Sequence, residues 1–277
     1  MSLHDVFASC KQEGRAALIG YLPAGYPTVE GSKELFDAML SGTGDEPGCD
    51  IVEVGLPFSD PVIDGPTIQA ASDRARRAGF RVRDLFDVVS SVASGGGNAA
   101  VMTYWNPVHH YGVDAFARDL KAAGGLGVIT PDLVPDEAED WIAATDEHGI
   151  DRIFLVAPSS TEQRLAMTTK ATTGFVYAAS VMGVTGARES VGAAAEGLVK
   201  RTRAYTDLPI GVGLGVRSGE HAAQVAGFAD GVIVGSAFVD RAEREGVEGV
   251  RALASELARA FAPADPTGNG GRRAAGP

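Results

Sequence analysis

Cysteine and long apolar runs are scarce in this 277-residue chain. The two cysteines, Cys10 and Cys49, have no spacing typical of a metal or redox site, which indicates a reducing, cytoplasmic compartment. No apolar run approaches the roughly 18 residues that a membrane-spanning helix needs. The first residues also lack the basic start and apolar stretch of a secretory signal. We therefore expect a soluble cytoplasmic protein that does not contact a membrane.

Basic residues are also in the minority, which argues against one class of partner. The chain has 24 basic and 36 acidic side chains, with a net charge of -12, whereas nucleic-acid binding requires a basic face. We expect no nucleic-acid partner. A small phosphorylated substrate remains compatible with this charge, because a nest of backbone N–H groups can hold an anion.

Several catalytic motifs are missing as well. There is no G-x-S-x-G elbow, no P-loop and no zinc-type spacing of cysteine and histidine. Only His109 and His110 are close in sequence, and adjacent side chains point apart on a regular element, so we expect no metal site. No lysine lies at the C-terminal end of a predicted strand, where a Schiff-base lysine would stand. These absences disfavour metal-dependent and Schiff-base aldolases.

Short apolar runs, each followed by a longer helical pattern, recur along the chain. Uniformly apolar runs are typical of parallel strands that are covered on both faces. The eight predicted strands are residues 17–22, 51–55, 100–104, 126–130, 152–156, 175–179, 209–213 and 231–235. This alternation predicts a single (β/α)8 TIM barrel over residues 1–262, with an extra N-terminal helix. A doubly wound open sheet is the alternative, and residues 263–277 are expected to form a disordered tail.

Two carboxylates after the second predicted strand are the main catalytic candidates. Glu53 interrupts an apolar strand, where a carboxylate must be paired, protonated or facing a cavity. Asp64 follows 11 residues later, in the loop that leaves the same strand end. Taken singly, Glu53 could form a structural salt bridge and Asp64 could shape a turn or cap a helix. Together at one barrel mouth they indicate an acid/base pair.

Glycines cluster at the ends of the sixth, seventh and eighth predicted strands. They lie within residues 183–188, 211–215 and 235–236. Glycine lets backbone N–H groups approach an anion closely, and Ser236 lies where a helix begins. Any one of these glycines could simply permit a tight loop. Their position on three consecutive strands favours a phosphate site, which recurs after strands 7 and 8 of barrel enzymes.

With these residues assembled, the chain resembles the tryptophan synthase alpha subunit family from about residue 5 to residue 262. The most specific segment is EVGLPFSDPVIDGPTIQ, from Glu53 to Gln69, and residues 104–107, 183–186, 213–215 and 235–236 follow in the family's order. The resemblance implies a carbon–carbon lyase of tryptophan biosynthesis. Its reaction would be the retro-aldol cleavage of indole-3-glycerol phosphate to indole and glyceraldehyde 3-phosphate, without a metal or cofactor.

The resemblance also implies roles for single residues. Glu53 would be the general acid/base that protonates indole C3, and Asp64 would accept a hydrogen bond from the indole N–H. Tyr177 and Thr185 would support the chemistry, and Tyr21 would pack on the indole. The phosphate would bind the backbone of Gly186, Gly213, Gly215, Gly235 and Ser236.

A partner is implied by the same resemblance. Family members work with a beta subunit that carries pyridoxal phosphate, in an alpha2beta2 heterotetramer. The interface would include Pro57, Asp60, Asn106 and Pro135, and the loops around Asp60 and residues 183–188 would close over the site.

Two other functions stay open on the residues alone. Another phosphosugar-binding barrel enzyme, such as an isomerase or indole-glycerol-phosphate synthase, would keep the fold, although the synthase needs a lysine pair at strand ends. A non-catalytic activator of the beta subunit would keep the interface, although it has no need of both Glu53 and Asp64.

Overall fold

The computed structural model describes residues 1–180 and 188–261. Within them, nine parallel strands form one sheet in the order β5-β4-β3-β2-β1-β9-β8-β7-β6. The strands are β1 (Ala17–Pro23), β2 (Ile51–Gly55), β3 (Ala99–Met102), β4 (Gly127–Ile129), β5 (Asp151–Ile153), β6 (Leu155–Val156), β7 (Val176–Ala179), β8 (Ile210–Gly213) and β9 (Gly231–Val234).

The sheet closes into a barrel at Phe154. This residue divides the predicted fifth strand into β5 and β6, the two ends of the sheet order. On one side Thr130 N donates to Ile153 O (3.2 Å), and on the other Tyr177 N donates to Phe154 O (3.3 Å). The pairing thus changes from β4 to β7 within one continuous segment, so the sheet edges meet there. The (β/α)8 barrel is confirmed, and the open sheet is excluded.

Eleven helices are described, and all but the first follow a strand and cover the outside of the barrel. They are α1 (Leu3–Gln12), α2 (Val29–Ser41), α3 (Pro66–Arg77), α4 (Val82–Ser94), α5 (Trp105–Tyr111), α6 (Val113–Ala122), α7 (Glu139–His148), α8 (Glu162–Ala171), α9 (Arg188–Arg203), α10 (Gly219–Ala226) and α11 (Ser236–Arg259), with a 3₁₀ turn at Pro135–Glu137. Inside α11, Gly246 has a φ of 64°, and the helix is broken there.

The extra N-terminal helix, α1, fills the end of the barrel where the strands begin. Leu3 and Phe7 are buried, and the ring of Phe7 lies 5.1 Å from that of Phe175. Leu3 N donates a hydrogen bond to Asp151 Oδ2 at 2.9 Å. A Cβ at Gly231 would lie 2.7 Å from the Phe7 ring, so glycine makes room for this helix. Active sites of barrels of this kind lie at the opposite end, where the strands end.

Two further features concern the expectations about membranes and thiols. No helix among residues 1–180 and 188–261 is long and apolar enough to cross a membrane. Cys10 and Cys49 are free and buried. Burial raises the pKa of Cys10 to about 12 and that of Cys49 well above its ordinary value, so neither thiol is activated.

The predicted tail, residues 263–277, lies outside the described residues, and the domain boundary at 262 stays a prediction.

Candidate active site

Glu53 is a buried carboxyl group on the inner side of the barrel. It pairs in register with Tyr21 of β1 and Ala100 of β3, and only 1% of its surface is exposed. Its Oε2 has no hydrogen-bond partner within the described residues. Burial, and secondly the charge of Asp64, raise its pKa from 4.5 to about 8. Glu53 is therefore protonated at neutral pH, and the part of the chain that the structure describes offers it no structural salt bridge.

Asp64 lies in the loop between β2 and α3, which Tyr104 holds in place. The Tyr104 hydroxyl accepts hydrogen bonds from Val62 N (3.1 Å) and Ile63 N (3.2 Å), and the Gln69 amide donates to Asp64 O at 2.7 Å. Burial raises the pKa of Asp64 to about 6, against the opposing effect of a hydrogen bond from Tyr104. Asp64 does not cap α3, because the residue before the first helical position is Gly65.

The two carboxyl groups form an electrostatically coupled pair. Glu53 is the middle residue of β2, Asp64 lies in the loop that leaves the same strand, and the charge of Asp64 is one cause of the raised pKa of Glu53. With pKa values of about 8 and about 6, Glu53 keeps its proton at neutral pH while Asp64 is ionised. Carboxyl groups whose environments separate their pKa values in this way serve as an acid and an anion in one site.

Two predicted tyrosines line the same space. Tyr21 on β1 and Tyr177 on β7 are buried in one cluster inside the barrel. Burial raises both phenol pKa values, and the charges of Glu53 and Asp64 add to both shifts, so both rings lie near the pair. A Cβ at Gly213 would lie 2.6 Å from the Tyr177 hydroxyl oxygen. Glycine at 213 therefore also makes room for this phenol.

Four of the five predicted phosphate-binding positions lie at the ends of β8 and β9. These strands are neighbours in the sheet. Gly213 ends β8, Gly215 has a φ of 73° that favours glycine, and Gly235 directly precedes α11. Among the residues that the structure describes, no side chain caps the first turn of α11, which begins at Ser236. The N–H groups of that turn are thus open to an anion. Gly186 and Thr185 lie outside the described residues.

The predicted interface residues follow the ends of three adjacent strands. Pro57 and Asp60 lie in the loop after β2, Asn106 lies in α5, and Pro135 lies in the 3₁₀ turn after β4. Large apolar side chains are exposed on the same loops: Val62 (75%), Ile63 (42%) and Val134 (40%). Exposed apolar side chains at the C-terminal end of the barrel favour a protein interface there.

Tyr104 is a site residue that sequence reasoning left without a role. It is 3% exposed, and its ring stacks on Phe58 with the centroids 5.1 Å apart. It comes two residues after the end of β3. A polar aromatic side chain at a barrel strand end is the signal that could have identified it.

One group of possible metal ligands lies on the outer helices. Ligand atoms of Asp114, Glu147 and His148 lie within 4.8 Å of one another. His148 Nε2 and Asp114 Oδ1 already pair at 2.7 Å, and both acids are exposed. Nothing in this arrangement requires a metal.

Known proteins are similar to this chain over most of its length. A family model described as tryptophan synthase alpha chain matches residues 7–263. Curated tryptophan synthase alpha chains of Nocardia farcinica and Mycobacterium tuberculosis are each 61% identical over 256 residues, which is 92% of this chain and 94% and 93% of theirs. A structure of Mycobacterium tuberculosis tryptophan synthase matches with a TM-score of 0.88 at 58% identity, over 95% of this chain and 98% of that one. A Legionella pneumophila tryptophan synthase subunit alpha matches with a TM-score of 0.84 at 30% identity, over 94% and 98%.

Proposed function

The chain belongs to the tryptophan synthase alpha chain family, and we propose that Glu53 and Asp64 carry out its reaction. That reaction is the cleavage of indole-3-glycerol phosphate to indole and glyceraldehyde 3-phosphate, a carbon–carbon lyase step of tryptophan biosynthesis. The observation that supports these roles is the buried Glu53 carboxyl group beside the ionisable Asp64, with an Oε2 that has no partner in the described part of the chain.

The proton of Glu53 starts the reaction. Protonated Glu53 donates it to indole C3, which places a positive charge on the ring nitrogen. Asp64, ionised, accepts the hydrogen bond of the indole N–H and stabilises that charge. The cationic ring then acts as the electron sink that an iminium supplies in a lysine-dependent aldolase.

The same carboxyl group completes the cycle. Ionised Glu53 takes the proton from the hydroxyl on the carbon attached to the ring. The bond between that carbon and C3 breaks, and its electrons return to the ring. Indole leaves with the first proton, glyceraldehyde 3-phosphate leaves as the aldehyde, and Glu53 is protonated again.

The remaining predicted residues bind and orient the substrate. The backbone of Gly213, Gly215, Gly235 and Ser236 holds the phosphate at the uncapped start of α11, where the helix dipole favours an anion. Gly186 completes this set, as the resemblance implies. Tyr21 packs on the indole, a role that fits its position 3.4 Å from a Cβ placed at Gly235. Tyr177 and Thr185 support the acid/base pair.

Indole release from indole-3-glycerol phosphate tests the reaction and its proton donors together. We expect kcat/KM to rise as Asp64 ionises near its pKa of about 6, and to fall as Glu53 loses its proton near its pKa of about 8. Initial rates of the purified protein from about pH 5 to about pH 9 measure this profile. If no indole is released at any pH, even with a beta subunit present, the substrate is another phosphosugar. A rate independent of pH in this range would reject the protonated Glu53 as the acid.

We also propose that the partner is a tryptophan synthase beta subunit, in an alpha2beta2 complex. The exposed Val62, Ile63 and Val134 support an interface at the mouth that includes Pro57, Asp60, Asn106 and Pro135. The pyridoxal phosphate belongs to that partner, and the alpha chain works in the cytoplasm without a cofactor. Two free, buried thiols fit that compartment.

Binding of the beta subunit should accelerate the lyase reaction, because it orders the loops over the site. Val134→Ser should weaken this activation several-fold and leave the rate of the isolated chain unchanged. Tyr205→Ser is the matched control, since Tyr205 is also 40% exposed but precedes β8 at the opposite end of the barrel. Titration of the lyase rate with beta subunit measures both. If the beta subunit activates the two variants equally, Val134 is not part of the interface. If saturating beta subunit leaves the lyase rate of the wild type unchanged, the predicted acceleration is wrong.

A further inference from the structure

Three side chains join three separate elements on the outside of the barrel. Tyr26 lies between β1 and α2, Arg74 lies on α3, and Glu243 lies on α11. The Tyr26 hydroxyl donates a hydrogen bond to Glu243 Oε2. Arg74 Nη1 donates to Glu243 Oε1 at 2.9 Å and to Oε2 at 2.7 Å. The Arg74 guanidinium also lies 5.0 Å from the centre of the Tyr26 ring, so each of the three residues contacts the other two.

On the α3 side, this cluster is connected to the loop of Asp64. The helix begins at Pro66, two residues after Asp64, and Gln69 of its first turns donates to Asp64 O at 2.7 Å. Arg74 lies five residues after Gln69, about one and a half turns further along the same helix. The helix α3 therefore connects Arg74 rigidly to the loop of Asp64.

On the α11 side, the cluster is connected to the phosphate-binding end. Ser236 is the first residue of α11, and the helix is broken at Gly246. Glu243 therefore lies in the short segment before the break. Seven residues separate it from Ser236, which is two turns, or about 10 Å, along the same face.

We propose that Tyr26, Arg74 and Glu243 are positioning residues that fix the start of α11 relative to the Asp64 loop. The substrate spans this distance, with its phosphate at α11 and its indole at Asp64, so the inference rests on the proposed function. An exposed ion pair alone would contribute little, and Arg74 and Glu243 are 52% and 57% exposed. Tyr26 is only 2% exposed, and this buried phenol gives the pair a fixed geometry.

The protonation states of Tyr26 and Glu243 keep the hydrogen bonds of the cluster intact over a wide pH range. Burial and the bond to Glu243 raise the pKa of Tyr26 to about 12. The bond from Tyr26 and the charge of Arg74 lower the pKa of Glu243. The phenol therefore keeps its proton, and the carboxylate keeps its charge, throughout the pH range in which the site would work.

Kinetics and ligand binding of Tyr26→Phe and Glu243→Gln test this positioning role. For each variant we expect kcat/KM for indole-3-glycerol phosphate to fall about tenfold, because small displacements of reacting groups are costly. Glycerol 3-phosphate alone, measured by calorimetry, should bind within about twofold of wild type, because it contacts only one side. Asp73→Asn is the control. It breaks an exposed pair within α3, in which Arg76 Nη1 lies 3.1 Å from Asp73 Oδ1, and should behave as wild type.

Three other results would contradict the positioning role or the proposed function. An unchanged kcat/KM in Tyr26→Phe, with an active wild type, would overturn the inference and leave the proposed function intact. Equal losses for the substrate and for glycerol 3-phosphate would also overturn it, since the cluster would then only support the phosphate end. If Glu243→Gln does not fold, the kinetics of the milder variant Tyr26→Phe test the positioning role alone. A wild type that releases no indole would instead reject the proposed function.

Discussion

Glu53→Gln should lower kcat for indole release by about 10²–10⁴-fold, the usual contribution of general acid/base catalysis. Glutamine keeps the size of the side chain and can form hydrogen bonds, but it cannot transfer a proton to indole C3. Since Glu53 does not bind the phosphate, KM should change much less than kcat. Steady-state kinetics with indole-3-glycerol phosphate measures both. A kcat within threefold of wild type would reject Glu53 as the proton donor.

The stability of the same variant shows whether lost activity reflects lost structure. Burial raises the pKa of Glu53 from 4.5 to about 8, so the folded state holds this proton more firmly than the unfolded chain does. The stability that the proton provides is complete below about pH 4.5 and is lost as the pH rises towards about 8. Glutamine does not titrate. Glu53→Gln should therefore gain stability relative to wild type over this interval, by about 1.4 kcal/mol per unit of pKa difference as an upper bound.

Urea unfolding of both proteins near pH 5 and near pH 8 measures this difference. A variant that is inactive but more stable than wild type at the higher pH has lost chemistry and not structure. A variant that is less stable at both values would show that Glu53 is paired in the folded protein.

Glu53→Gln also separates an enzyme from a non-catalytic activator. If the variant loses cleavage and still activates a beta subunit, the chain both catalyses and regulates. A wild type that activates the beta subunit without cleaving indole-3-glycerol phosphate would be an activator only.

The sequence predicts those features that depend on local pattern. Glu53 is recognisable because it is a charge within an apolar strand, and the barrel because its strands and helices alternate. The division of the fifth strand at Phe154 depends on hydrogen bonds to β4 and β7, and no local pattern carries that information. Likewise, Arg74 is 48 residues from Tyr26 and 169 from Glu243. Such contacts become visible only after the barrel brings distant segments together.

The second large effect is expected at Asp64. Asp64→Asn should lower kcat by about 10²–10³-fold, because a neutral amide cannot balance the positive charge that forms on the indole ring. Hydrogen bonds to a charged acceptor are roughly twice as strong as those between neutral groups. Asp87→Asn, at an exposed position of α4, is the matched control and should retain the wild-type rate. Similar rates for both variants would reject the role of Asp64.

The pH profile of Asp64→Asn distinguishes an electrostatic role from a merely steric one. The acidic limb near pH 6 should disappear, because it reflects the pKa of Asp64, about 6. The charge of Asp64 is also one cause of the raised pKa of Glu53, so its removal should lower that pKa. The alkaline limb should therefore move below its wild-type position near pH 8. Because asparagine has almost the size of aspartate, a steric role would leave the acidic limb in place, since that limb would then belong to another group. A coordinated change of both limbs requires that Glu53 and Asp64 act as one coupled pair.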